Sequence, residues 1–159
     1  MNTKDVLKNI IEPALLLLPE RMRTDQAKVM LLAIGLQESR FVHRRQIGGP
    51  ARGFWQFEDG RLSGLAGLFT LNSTKAHMKA LCDARGVNFD RTSVYNRLEF
   101  DDILAAGVAR LLLWSSPASL PPLGNAEAAW NLYIAVWRPG KPHRHTWNAL
   151  YKQALDTLK

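Results

Sequence analysis

One carboxyl group stands out by where it falls. Ala27, Leu31, Ile34, Glu38 and Phe41 follow one another at spacings of 4, 3, 4 and 3 residues. That is one face of an amphipathic helix. The pattern predicts a helix over residues 25–41, with Thr24 or Asp25 able to cap it. Glu38 is the charged member of that stripe. A carboxylate at a core-facing position costs free energy unless it is paired or neutralised, and desolvation raises its pKa. A carboxylic acid that keeps its proton can protonate a leaving glycosidic oxygen. Two other arrangements fit the same spacing. Glu38 can be paired with Arg40, Arg44 or Arg45, or the helix can end early and leave it solvated. Periodicity does not choose between them.

A second carboxylate, Glu58, lies downstream with Asp59 beside it. In a hydrolase such a group activates water or stabilises an oxocarbenium ion. A separation of about 5–5.5 Å suits a retaining mechanism and about 6.5–9.5 Å an inverting one. The plainer reading of Glu58-Asp59-Gly60 is an acidic turn. His143 and His145 have no further ligands at zinc-site spacing, so no metal is expected. The run Gly48-Gly49-Pro50-Ala51-Arg52-Gly53 lacks the Gly-Lys-Ser/Thr ending of a phosphate loop. It reads as turn and loop backbone.

The elements that must position these groups are mostly helical. Residues 4–18 read as a helix, with Pro13 awkward in its interior and Pro19 as its stop. From 42 to 67 the helical period is lost and glycine occurs at 48, 49, 53, 60, 64 and 67. Phe54-Trp55-Gln56-Phe57 reads as a short strand. In a strand Phe54 and Gln56 share one face, and Trp55 with Phe57 faces the core. Ser73 or Thr74 opens a helix that Gly86 ends. Further helices are expected over 98–114, from Asn125 to about Trp137, and over 144–157. The expectation is a mainly α, single domain of residues 1–159, with a small irregular or β-hairpin element near 43–60.

Composition sets wider bounds. Hydrophobic residues make up 47%, so a folded core is expected. The net charge is +7 and the sequence pI about 9.9, which points to an anionic partner: nucleic acid, anionic lipid or bacterial cell wall. Arg40, Arg44, Arg45 and Arg52 cluster near Glu38, and Arg138, Lys141 and Arg144 gather in a late loop. The lone Cys82 excludes an internal disulfide and reads as a small buried hydrophobe. The longest apolar run, Ala14 to Leu18, is far short of the roughly 20 residues that span a bilayer. No signal-peptide pattern is present, so synthesis in a cytoplasm is expected.

Three short blocks carry a resemblance. Ala33-Ile34-Gly35-Leu36-Gln37-Glu38-Ser39-Arg40-Phe41 is followed by Gly53-Phe54-Trp55-Gln56 and then by Ala128-Ala129-Trp130-Asn131. In that order they resemble the lytic transglycosylase branch of the lysozyme-like superfamily, over roughly residues 25–135. The resemblance implies a lysozyme-like fold that cleaves the MurNAc–GlcNAc β-1,4 bond of peptidoglycan without a cofactor. Glu38 would be general acid and then general base, closing a 1,6-anhydro ring. Ser39 would hydrogen-bond near the acid or substrate. Gln56 and Phe54 would line the cleft, with Trp130, Asn131 and Tyr133 as further substrate contacts. The family places Tyr where Trp130 stands, and Tyr133 lies on nearly the same helix face to supply the hydroxyl. The small size is similar to that of phage endolysins. A monomer is expected, with peptidoglycan as partner, no nucleic acid and no membrane insertion. It would be made in a host cytoplasm and act at the wall after release, or travel in a virion. The competing expectations are a hydrolytic muramidase using Glu38 and Glu58, and a basic helical protein that binds nucleic acid or glycan.

Overall fold

The helix that carries Glu38 is buried almost from end to end. A computed structural model describes residues 1–159. In it the helix α3 spans Asp25–Ser39, capped by the Thr24 hydroxyl, which accepts from the Ala27 N–H at 3.2 Å. Val29, Met30, Leu31, Leu32, Ala33, Ile34 and Leu36 are all buried, so apolar residues surround the helix instead of forming one stripe. A helix that is hydrophobic all round belongs inside a core. Its first turn, at Asp25, Gln26 and Lys28, and its last, at Gln37 and Glu38, open toward solvent.

The helix stops at Ser39, not at 41. Arg40 and Phe41 both take left-handed conformations, with φ of 56° and 55°. Phe41 then folds back onto the helix it was expected to extend. A Cβ built on Gly35 would lie 2.2 Å from the Phe41 ring, so only glycine leaves room for that return. The Ser39 hydroxyl donates to the Gly35 carbonyl and accepts from the Phe41 N–H, both at 3.1 Å. Phe41 thus reaches the core by a different route.

Around α3 the chain packs helices on several sides. Helix α1 (Thr3–Val6), a π-helical turn (Leu7–Ile11) and α2 (Glu12–Leu16) form one continuous rod. Pro13 has no N–H to give and crowds the preceding turn. The backbone widens just before it, with the Glu12 N–H reaching back five residues to the Leu7 carbonyl. A 3₁₀ turn (Glu20–Met22) leads into α3. After the loop come α4 (Gly64–Gly67), α5 (Lys75–Arg85), α6 (Arg91–Arg97), α7 (Asp102–Ser115), α8 (Ala126–Trp137) and α9 (Arg144–Thr157). Gly86 ends α5 in a left-handed conformation at φ 66°, and the Asn125 side chain caps α8, both as read from the sequence.

Two further elements differ from expectation. The helix expected over 98–114 begins only at Asp102. Asp101 caps it, accepting from the Leu104 N–H at 2.9 Å, and also pairs with Arg85. A separate α6 precedes that joint. The second difference is at 54–57, where there is no strand. Arg52 and Phe57 form an isolated antiparallel bridge around a tight turn, with a second bridge between Arg45 and Arg52. Gly53 and Gln56 have φ of 77° and 56°, which closes the turn. Phe54, Trp55 and Phe57 are all buried, so the expected alternation of faces fails for Phe54.

One apolar core runs from Val6 to Ala154, and the chain is a mainly helical single domain. α9 lies along α3. The irregular loop is tied to the α6–α7 joint by two forked ion pairs. Arg44 bonds Asp102 at 2.9 and 2.8 Å, and Arg45 bonds Glu99 at 3.1 and 2.6 Å. No helix is long and apolar enough to cross a membrane.

Candidate active site

Glu38 sits where the buried helix emerges. Its Oε2 accepts a hydrogen bond from the Tyr133 hydroxyl at 2.7 Å. None of the neighbouring arginines pairs with it. Arg44 and Arg45 are engaged elsewhere, and Arg40 is exposed. Burial raises the Glu38 pKa above its usual value. The Tyr133 hydrogen bond opposes that shift, and the negative charge of Glu58 adds to it. The structure therefore contains a half-buried acid with a fixed donor, not a structural ion pair.

Tyr133 is fixed by the rings around it. Its ring is 2% exposed and stacks on Trp147 at 5.2 Å with an interplanar angle of 4°. Trp130 packs against it at 5.5 Å and Trp137 at 6.4 Å. The indole N–H groups are themselves anchored. Trp147 donates to the Ala126 carbonyl at 2.9 Å, Trp137 to Trp55 at 3.0 Å, and Trp55 to Leu31 on α3 at 2.9 Å. A buried indole needs such a partner. Burial pushes the Tyr133 pKa far up, and the Glu38 charge and hydrogen bond push it further. Tyr133 stays protonated and acts only as a donor.

The acid opens into a cleft of about 610 Å³. Gln56, Glu58, Tyr133 and Trp137 line it together with Glu38, and so do Arg138, Lys141 and His143 of the loop between α8 and α9. Gln37 holds that loop to α3, donating to the His143 carbonyl and accepting from the Thr146 hydroxyl, each at 3.0 Å. A second hollow of about 650 Å³ adjoins the first and shares Gln56, Glu58, Trp137 and Arg138 with it. Its floor includes Leu65, Leu112 and Val136. The two together make an open trough suited to an extended chain.

Four expected site residues meet here: Glu38, Glu58, Gln56 and Tyr133. Four do not reach the cleft. Ser39 is buried and spends its hydroxyl on the helix end. Phe54 is 1% exposed, enclosed by Phe41 and covered by the Arg44 guanidinium 4.3 Å above its ring, so it offers no face to a sugar. Trp130 is buried behind Tyr133, where it supports that ring. Asn131 is exposed on α8 outside the cleft lining. Gln37 of the first block and Arg138 and Lys141 of the late basic cluster line the cleft too, with Gln46 and Trp137, which the sequence reading did not single out. Trp137 had a signal: 130, 133 and 137 share one helix face by spacing. Cys82 is buried in α5, and burial pushes its thiol up to about 11, so it is no nucleophile at neutral pH.

Comparison with protein-family models, curated proteins and solved structures found no significant match. The groups in the cleft therefore carry the functional reading.

Proposed function

We propose that this protein cleaves the glycan strand of peptidoglycan at the MurNAc–GlcNAc β-1,4 bond, as a lytic transglycosylase on a lysozyme-like fold. The observation that carries the proposal is the 2.7 Å hydrogen bond from Tyr133 to Glu38, at the edge of a trough, on an acid whose pKa is raised. The order of helix-end acid, loop and aromatic helix supports the fold reading.

The chemistry needs one carboxyl in two states. Protonated Glu38 gives its proton to the bridging oxygen as the bond to the muramic C1 breaks. The muramic 6-hydroxyl oxygen then bonds to C1, and the Glu38 carboxylate takes the hydroxyl proton. The acid is regenerated and no water is consumed. Burial favours the protonated form and the Tyr133 donor favours the carboxylate. That balance suits a group that must be acid and then base. Tyr133 occupies Oε2 only, so the other carboxyl oxygen remains available to the sugar. Arg138 and Lys141 border the cleft without an acidic partner and suit the carboxylates of the peptide stems. Such an enzyme acts at the bacterial wall as an endolysin, after leaving the cell that made it or from a virion.

A hydrolytic muramidase is the second reading. Glu58 lines the same cleft and its charge already acts on Glu38, as a water-activating carboxylate would. Release of dye from labelled cell-wall sacculi tests both readings together. The wild type is expected to release dye, and Glu38→Gln, which keeps the side-chain shape, is expected to release none. A folded protein that binds DNA steeply with salt and leaves sacculi intact would replace enzyme with nucleic-acid binder.

A further inference from the structure

Away from the cleft, α7 buries a positive charge. Arg110 is 2% exposed, and its Nε donates to the Met22 carbonyl of the 3₁₀ turn at 2.8 Å. No carboxylate pairs with it, whereas Arg85 meets Asp101 at 2.9 Å. Burial draws the Arg110 pKa down to about 10, which still leaves it charged at neutral pH. A buried cation without a counter-charge is costly, and one neutral carbonyl with the Trp114 ring offsets only part of that cost.

A cavity of about 280 Å³ opens beside this group, lined by Arg110, Leu113, Trp114, Ser116, Ser119 and Leu120 among others. Arg21, a second cation, lies near the same ring but outside the cavity lining. Its guanidinium and that of Arg110 lie 5.4 and 5.5 Å from the centre of the Trp114 ring. The Ser119 hydroxyl is exposed and is engaged by no protein group. α7 ends at this place, and its terminus carries roughly half a negative charge. The full charge of Arg110, which lines the cavity, exceeds it.

We infer that this cavity is a binding site for a phosphate group, held by the Arg110 guanidinium, with Arg21 adding charge and Ser119 a hydroxyl donor. A guanidinium fork matches a phosphate edge with two parallel charge-assisted hydrogen bonds. The cavity holds the volume of several waters, at roughly 30 Å³ each, so it admits a phosphate with part of its hydration. The site stands apart from the cleft and does not depend on what the cleft cleaves.

The test is a thermal-shift titration with inorganic phosphate against sodium chloride at matched ionic strength. Wild type should show a saturable rise in Tm with phosphate alone. Arg110→Met, which keeps the bulk and removes the charge, should weaken phosphate binding by about tenfold or more. If that variant does not fold, Arg21→Met and Ser119→Ala change exposed residues and should each weaken the response. Cosedimentation with phosphatidylglycerol vesicles separates the sources. Vesicle binding that inorganic phosphate competes away assigns a lipid headgroup, and a phosphate response without vesicle binding assigns a soluble phosphate. Equal effects of phosphate and chloride, or a response unchanged in all the variants, would overturn the inference.

Discussion

One wall of the cleft is helix and the other is loop, and the acid stands on the helical one. Glu38 ends a core helix, and its donor Tyr133 is stacked among tryptophans whose N–H groups are tied to backbone carbonyls. The facing wall, around Gln56 and Glu58, belongs to a loop with two isolated bridges, joined to α6 and α7 by arginine pairs at the surface. The first wall is held by burial throughout, whereas the second combines the buried Phe54, Trp55 and Phe57 with surface ion pairs. A catalytic acid needs a fixed position, whereas a wall that takes up an extended polymer can afford adjustment. Changes on the helical wall should therefore cost chemistry. Changes on the loop wall should cost binding and depend on salt.

The largest effect after loss of the acid itself is expected at Trp147. Trp147→Ala removes the ring stacked on Tyr133 and should destabilise the fold by about 3–5 kcal/mol, which denaturant unfolding will measure. Tyr133→Phe comes next. It leaves the ring in place and removes the donor, so kcat should fall about 10–100-fold with KM little changed. The same variant should also shift the pH profile. Tyr133 lowers the Glu38 pKa, so its removal should move the alkaline limb of the kcat profile to higher pH. A merely structural tyrosine would leave that limb where it was.

Glu58→Gln is smaller and opposite in sign. Its charge raises the Glu38 pKa, so the variant's alkaline limb should move to lower pH, with kcat within a few-fold of wild type if no second carboxylate is needed. A loss as deep as that of Glu38→Gln would favour the hydrolase. The smallest effect is expected for Arg44→Met. Its partly exposed pair with Asp102 is worth about 1 kcal/mol at most. KM should rise modestly, and added salt should erase most of the difference from wild type in a kinetic titration.

Glu38 also links folding to pH. Its folded pKa lies above the usual 4.5, so the folded state holds this proton more tightly than the unfolded chain does. That stabilisation is complete below the unfolded value and is lost as pH rises through the folded one. The stability of wild type relative to Glu38→Gln should therefore decline over that rise.

Much of this was legible in the residues. Glu38 was found because a charge fell among apolar positions, and Tyr133 because helix spacing placed it one turn from Trp130. Caps and stops gave α5, α8 and α9 nearly to the residue, since Asn125 and Gly86 act locally. What failed was decided over long range. Phe54 looked like a strand residue, and the tight turn closed by Gly53 and Gln56 put it in the core against Phe41. Phe41 looked helical, and it returned because Gly35 left space that no local pattern displays. The joint at Asp101 depended on Arg85, from another helix. The arginines near Glu38 looked like its partners, but Asp102 and Glu99 claimed two of them from far along the chain.

If Glu38 alone serves as acid and base, the digestion products carry the signature. Purified peptidoglycan should be digested with wild type and with Glu38→Gln, and the released muropeptides weighed by mass spectrometry. Wild type should release products one water lighter than ordinary reducing ends, which are 1,6-anhydro ends, and the variant none. Ordinary reducing ends would contradict the one-carboxyl mechanism, and a folded, fully active Glu38→Gln would contradict the assignment of the acid.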